Sequence, residues 1–284
     1  MTAQISSILA ATDGSPNAQN AVGWAGSLAG LTGAHLVVMS VDSVHQAEVT
    51  PEFFDEKADE LTARLRGWIA DANVHGVEAD PVLRQGRPAD VIGAEAEATS
   101  PDLVVVGARG SGGFTRLGLG STTHRLAHST RVPLAAVHER SALGSGTDLL
   151  VGVDGSPGSE VALEWAAQLA RLLSTEPTAV FVSDPMVDSY PHPRSGTVKF
   201  QRKQDAEGVV AKVIERTGIE IKLRVEPGNA VEVLADLADQ ASSSMVVVGT
   251  RSHGLTEGHV LGRVPVQLLH ECVRPVVLVP HPSS

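Results

Sequence analysis

Two polar segments of this chain combine residue types that could bind phosphate, and both occur twice. The sequence Asp-Gly-Ser-Pro stands at residues 13–16 and again at 154–157. A glycine-rich segment, residues 107–121, has a counterpart at residues 249–263. Glycine lets the backbone approach an anion closely and adopt positive φ, which turns N–H groups toward the anion. The pattern therefore predicts a phosphate site that needs no lysine.

The first glycine-rich segment has the residues that such a site requires. It reads Gly-Ala-Arg-Gly-Ser-Gly-Gly from Gly107 to Gly113 and ends in Gly120 and Ser121. Ser121 is predicted to be the N-cap of the next helix, whose N-terminus adds partial positive charge. A glycine cluster alone is equally expected of a surface loop, so the pattern by itself leaves both interpretations open.

The sequence lacks other common nucleotide-binding and catalytic motifs. No Gly-Lys-Ser or Gly-Lys-Thr occurs, which excludes a P-loop, and Thr123 stands where a G-x-G-x-x-G motif beginning at Gly118 needs glycine. Nothing resembles the G-x-S-x-G nucleophile elbow of a hydrolase. His124 and His128 have the i, i+4 spacing of metal ligands, but no H-E-x-x-H motif accompanies them, so an ordinary histidine pair is favoured over a metal site.

The repeat extends along nearly the whole chain and predicts two domains. Position 154 follows position 13 by 141 residues, and position 249 follows position 107 by 142 residues. This spacing is far longer than a solenoid repeat and suits a domain of ordinary size. We predict domain 1 over residues 1–138 and domain 2 over residues 148–284, joined by a linker that contains Ser and Gly.

Each half alternates short aliphatic runs with longer segments of helical periodicity, which is typical of βαβ units around a parallel sheet. Apolar residues from Ala18 to Ala29 recur at i, i+3, i+4 spacing and predict the first helix. In such sheets ligands bind at the carboxyl ends of strands, where both polar segments stand. We predict strands near residues 8–12, 36–41, 79–83, 103–106 and 132–137, and again near 149–153, 178–182, 219–225, 245–248 and 276–279.

Composition limits the classes of function. The 284 residues are 42% hydrophobic and 19% charged, which is globular composition. The net charge of −11 argues against a nucleic-acid or anionic-membrane partner, and we find no apolar run long enough to span a bilayer. Cys272 is the one cysteine, which excludes an internal disulfide. With no leader-like N-terminal pattern, a cytoplasmic location is expected.

The spacing Gly107-x2-Gly110-x9-Gly120-Ser121 resembles the ATP-binding signature of the universal stress protein family. Asp-Gly-Ser after the first strand and Pro133 before the last one resemble the same family. The resemblance implies an α/β fold class of two tandem doubly wound parallel-sheet domains, strand order 3-2-1-4-5, of the adenine-nucleotide alpha-hydrolase-like type. It also implies ATP as ligand, with or without Mg²⁺, and pairing through the last strands, between the two domains of one chain and in a homodimer.

Carried over by position, the resemblance gives a set of site residues. Asp13 would bind the ribose hydroxyls, with helix capping as its other role, and Val41 would pack against adenine. Ser121 and Thr122 would close around the phosphates, and Arg109 would neutralise them unless it is simply solvated. The predicted set is Ala11, Asp13, Val41, Gly107, Arg109, Gly110, Gly113, Gly120, Ser121 and Thr122 in the first half, with Asp154 and Gly249 in the second.

The second half departs from this pattern at two positions. Ser252 replaces the second glycine, and Arg263 stands where the first half has Ser121. A non-glycine residue forced to positive φ would cost about 1 kcal/mol. Arg263 would either fill the phosphate cavity or pair with phosphate. We therefore expect one competent ATP site, in the first half.

Three kinds of function follow from these observations. The leading expectation is a cytoplasmic ATP-binding stress or signalling protein that is not an enzyme, in which nucleotide controls conformation or assembly. The first alternative is an enzyme on the same fold, a slow ATPase or an adenylyl-transferring ligase, although the Ser-Gly-Gly-x-Asp-Ser pyrophosphatase loop and the His-x-Gly-His motif are both absent. The second alternative is a nucleotide-free scaffold that pairs domains through strand edges.

Overall fold

The computed structural model describes residues 5–42, 51–72, 74, 76–110, 118–138, 141, 143, 146–183, 195–240, 244–250 and 261–281. Contacts divide these residues into two compact units, one within residues 5–141 and one from position 142 onward. Each unit alternates strands with helices and contains one parallel sheet. The predicted α/β fold class is confirmed.

In the first domain the five strands are all parallel and have the order β3-β2-β1-β4-β5. Helix α1 contacts α2, and α3 contacts α4, as expected when right-handed crossovers leave the central strand in two directions. The elements are β1 (Ser7–Ala11), α1 (Pro16–Thr32), β2 (His35–Asp42), α2 (Pro51–Asp71), β3 (Ala79–Gln85), α3 (Pro88–Thr99), β4 (Leu103–Gly107), α4 (Ser121–Ser129) and β5 (Leu134–Val137).

Local sequence explains where helix α1 begins and ends. The Ser15 hydroxyl accepts a hydrogen bond from the Ala18 N–H, and Pro16 follows it at the first helical position. Gly33, with φ of +73°, ends the helix in the left-handed conformation that favours glycine. The predicted apolar face is buried against the sheet: Ala18, Ala21, Val22, Ala25, Leu28 and Ala29.

The second domain repeats the arrangement with the strand order β8-β7-β6-β9-β10, again all parallel. Its N-cap is Ser156, whose hydroxyl accepts from the Ser159 N–H. The elements are β6 (Asp148–Gly152), α5 (Pro157–Leu173), β7 (Thr178–Ser183), α6 (Ser195–Thr217), β8 (Lys222–Pro227), α7 (Ala230–Gln240), β9 (Ser244–Gly249), α8 (Arg263–Glu271) and β10 (Val276–Val279).

The starts of two strands differ by two or more residues from those predicted. Strand β5 begins at Leu134 rather than at residue 132, since Pro133 has no N–H to donate to a sheet. Strand β8 begins at Lys222 rather than at residue 219. In each domain the strands contribute aliphatic side chains to the core, and Leu103–Val106 and Val276–Val279 are entirely buried.

Candidate functional site

A cleft of about 270 Å³ lies at the carboxyl ends of β1 and β4 in the first domain. These strands are neighbours, and the chain leaves them in opposite directions, from β1 to β2 and from β4 to β5. Open α/β sheets bind ligands at such a switch point. Gly113 lies outside the described residues, and the other nine residues predicted for this domain all line the cleft: Ala11, Asp13, Val41, Gly107, Arg109, Gly110, Gly120, Ser121 and Thr122.

The turn after β1 brings the Asp13 carboxylate to the cleft. Asp13 Oδ1 accepts a 3.0 Å hydrogen bond from the Ser15 N–H, so it shapes the turn, and the predicted role as helix cap belongs to Ser15 instead. Gly14 has φ of +77°, and a β-carbon there would lie 2.3 Å from the Trp68 ring. Both the backbone conformation and the close approach of Trp68 therefore require glycine.

Close approach of neighbouring chain segments, rather than an unusual backbone conformation, explains the glycines at positions 107 and 110. Gly120 has φ of −71°, and neither Gly107 nor Gly110 lies in the left-handed region. The prediction of positive φ was wrong for all three. A β-carbon at Gly107 would lie 3.0 Å from backbone atoms of Asn17 and Ala18, and one at Gly110 would lie 2.9 Å from Asp13 Oδ2. Glycine is needed here because the chain segments on either side of the cleft nearly touch.

The N-terminus of helix α4 opens into the cleft without a side-chain cap. Its N-cap is Gly120, not the predicted Ser121, and no side chain caps the helix. Ser121 and Thr122 are the first two helical residues, and N–H groups at these positions have no partner within a helix. They are therefore available to an anion, which the helix dipole also favours.

Thr123 links the N-terminus of α4 to strand β4 by a hydrogen bond. Its buried hydroxyl donates a 2.8 Å hydrogen bond to the Gly107 carbonyl at the end of β4. The Gly120 N–H donates to the Ala108 carbonyl at 2.8 Å. The two bonds fix the uncapped helix end beside the glycine loop. Thr123 was not among the predicted site residues. Its position in the first turn of a helix that follows Gly120 could have indicated it.

Arg109 is the one cation among the described residues that line the cleft. Its side chain is exposed, and its Nε donates a 3.2 Å hydrogen bond to the Gly118 carbonyl. Among the described residues that line the cleft, Asp13 is the one carboxylate. The charges therefore suit a ligand with hydroxyl donors at one end and an anionic group at the other.

The wall beyond Asp13 is aliphatic and suits a flat ring. Val41 is half-buried there, while Ala11, Met39 and Val106 are buried. Ile92 on α3 completes this wall, a residue that sequence analysis did not select. Apolar walls with a few convergent polar groups are characteristic of small-molecule sites.

The second domain has a cavity of about 150 Å³ at the ends of β6 and β9. Asp154 and Gly249, the two residues predicted there, both line it. The turn is the same, because Asp154 Oδ1 accepts a 3.0 Å hydrogen bond from the Ser156 N–H. Gly249 is packed more tightly than its counterpart Gly107, since a β-carbon there would lie 2.5 Å from the Gly158 carbonyl oxygen.

The helix that faces this second cavity has different chemistry. Arg263, Val264 and Pro265 stand where the first domain has Ser121, Thr122 and Thr123. Val264 and Pro265 line the cavity, and Arg263 is not among its lining residues. The exposed Arg263 instead donates from Nε to Gln267 Oε1 at 3.2 Å. The expectation that Arg263 fills the cavity was therefore wrong, and Ser252 lies outside the described residues.

The histidine pair of helix α4 makes contacts within its own helix. His128 Nδ1 lies 2.8 Å from the His124 carbonyl oxygen, and the two rings pack at a centroid distance of 4.5 Å. Within the described part of the chain, no group of three His, Cys, Asp or Glu residues could hold a metal ion. None of the helices described is long and apolar enough to cross a membrane.

Comparisons with known proteins give one consistent family. The model of the Universal stress protein family matches residues 5–138 and 147–280. A universal stress protein of Mycolicibacterium smegmatis is 29% identical over 290 residues, covering 96% of each chain. One from Thermus aquaticus is 35% identical over 137 residues, covering 46% of this chain and 96% of that one. The crystal structure of a universal stress protein from Archaeoglobus fulgidus has a TM-score of 0.71 at 21% identity, covering 98% of this chain and 100% of that one.

Proposed function

Because this chain belongs to the universal stress protein family, we propose that its first domain binds ATP at the cleft between β1 and β4. One observation carries the proposal: the uncapped N-terminus of α4, the close-packed glycines and the Asp13 carboxylate line the same cleft. In this arrangement Asp13 accepts hydrogen bonds from the ribose hydroxyls, and the aliphatic wall around Val41 packs against adenine.

The residues at the other end of the cleft fit a phosphate chain. Gly110 and Gly120 leave space that larger side chains would take, and the Ser121 and Thr122 N–H groups point out of the first turn of α4. Arg109 adds a positive charge beside them. Mg²⁺ would arrive with the phosphates, because the described residues supply no metal cluster of their own.

We propose that bound ATP controls conformation or assembly in stress signalling in the cytoplasm and is not turned over. No histidine lines the described part of the cleft, and Asp13, the one carboxylate of that lining, is assigned to the ribose hydroxyls rather than to the phosphates. A general base poised to activate water is thus missing from these residues. A homodimer is also part of the proposal, and a monomeric mass in solution would contradict it.

The direct test is to denature freshly purified protein and identify released nucleotide by mass, with its molar ratio to the chain. ATP is expected, and it should be lost in Gly120→Arg, whose side chain would enter the cleft. The matched variant Gly262→Arg carries the same change in the second domain and should retain ATP. ATP binding without measurable hydrolysis supports the non-enzymatic role, whereas multiple turnover abolished by Gly120→Arg would make the protein an ATPase.

A further inference from the structure

We propose that the cavity of the second domain is a separate binding site for an uncharged nucleoside, and that it excludes the phosphorylated form. The identity of the base as adenine rests on the function proposed for the first domain. The existence of the second site and its preference for a neutral ligand rest on the second domain's own residues.

The second cavity keeps the part of the site that suits a base and a sugar. Asp154 holds the same turn as Asp13, and Gly155 has the matching positive φ, +83°. The aliphatic wall is preserved in kind, with Val182 and Leu234 at the positions of Val41 and Ile92. A carboxylate beside an aliphatic slot can accept sugar hydroxyl donors while the slot packs against a flat ring.

The part that would hold phosphate is changed in its backbone as well as its side chains. Gly262 is the N-cap of α8, which places Pro265 at the third helical position. Proline has no N–H, so this helix end offers one fewer donor than α4, where Thr123 holds that position. Proline also lacks the hydroxyl with which Thr123 binds the Gly107 carbonyl. The N-terminus of α8 therefore has fewer N–H donors for an anion than the N-terminus of α4.

The side chains around this end have become apolar. Val264 replaces the hydroxyl-bearing Thr122, and Val153 replaces Thr12. Ser159, the remaining hydroxyl in the lining, donates to the Ser156 carbonyl at 2.9 Å. Burying phosphate charge among such groups carries a large desolvation penalty. Arg263, the first residue of α8, donates a hydrogen bond from Nε to Gln267 Oε1.

The space available agrees with a smaller ligand. The second cavity measures about 150 Å³ against about 270 Å³ for the cleft of the first domain. A β-carbon added at Gly249 would lie 2.5 Å from the Gly158 carbonyl oxygen. A β-carbon added at Gly107 would lie 3.0 Å from the nearest atoms of Asn17 and Ala18. The second cavity is therefore smaller than the first, and the end of β9 packs more closely against α5 than the end of β4 packs against α1.

The test is calorimetric titration of adenosine into the full chain already saturated with ATP, which occupies the first cleft. About one adenosine per chain is expected. Ala230→Phe, at the first residue of α7, would fill the second cavity and should weaken adenosine binding at least tenfold while ATP binding stays unchanged. The matched variant Pro88→Phe, at the first residue of α3, should weaken ATP binding and leave adenosine at one per chain.

Asp154→Asn provides a second variant that does not depend on filling the cavity. It removes the carboxylate charge with little change of shape and should weaken adenosine binding about tenfold. Adenosine binding that is absent, or that survives both Ala230→Phe and Asp154→Asn, overturns the inference. Two ATP per chain, with one lost in Ala230→Phe, also overturns it. If ATP binds nowhere but Ala230→Phe still abolishes adenosine binding, the function proposed for the first domain fails and this site stands.

Discussion

Replacing Gly110 with alanine should weaken nucleotide binding by the first domain without unfolding it. A β-carbon at this position would lie 2.9 Å from Asp13 Oδ2, about 0.5 Å closer than ordinary carbon–oxygen contacts. Asp13 is exposed, so its side chain can rotate away from the added methyl group. The fold therefore loses little, but the carboxylate leaves the position from which it faces the ligand.

The magnitude follows from what Asp13 contributes in each state. Hydrogen bonds to a charged group are worth about 1.5–3 kcal/mol, which corresponds to roughly 10- to 150-fold in Kd. The cost to folding should stay within about 0.5 kcal/mol, as for surface substitutions. Gly110→Ala should thus weaken ATP binding by one to two orders of magnitude at nearly constant Tm.

The assay is calorimetric titration with ATP together with thermal unfolding of the same preparation. Gly93→Ala is the matched control, because its β-carbon would come no closer than 4.0 Å to Leu126 and it lies outside the cleft. The control should bind ATP as the parent protein does. Unchanged ATP affinity in Gly110→Ala would refute the reasoning, as would a fall in Tm large enough to account for lost binding.

Two further predictions concern the second domain. Gly249→Ala should destabilise this domain by about 1–3 kcal/mol, because the added methyl group overpacks against the Gly158 backbone. Gly208→Ala has open space around it in α6 and should stabilise the domain by about 0.5–1 kcal/mol. Urea unfolding measures both changes, and equal effects would contradict the packing argument. Burial raises the pKa of the Cys272 thiol, so the folded state holds this proton more tightly than the unfolded state. The contribution of the Cys272 thiol to the free energy of unfolding should be complete below about pH 8.5 and should decline as pH rises toward the raised pKa. In Cys272→Ala, the pH dependence of urea unfolding should lack this decline.

Features that depend on neighbouring residues could be predicted from the sequence. Ser15, Pro16 and Gly33 set the limits of α1 through capping, fixed φ and positive φ, each a local effect, although the cap predicted was Asp13 rather than Ser15. The apolar periodicity of α1 likewise predicts which face of the helix is buried. The continuous apolar run of β4 predicts a strand that is buried on both faces. The site residues came instead from the resemblance to a known family, carried over position by position, and they meet because the carboxyl ends of parallel strands lie at one edge of a sheet.

Features that depend on distant segments could not be predicted. The need for glycine at Gly107 and Gly110 arises from the approach of α1 and Asp13, which no local pattern encodes, so positive φ was the wrong reason for the right residues. Arg263 binds Gln267 on its own helix, an outcome that depends on rotamer choice. Pro265 was visible in the sequence, but its importance depends on where α8 begins.

The most direct test of the account is the stoichiometry of ATP binding to the full chain, measured by equilibrium dialysis. One ATP per chain is predicted, reduced to none by Gly120→Arg and unchanged by Gly262→Arg. Two ATP per chain would contradict the distinction between the domains, and none would contradict nucleotide binding at the cleft between β1 and β4.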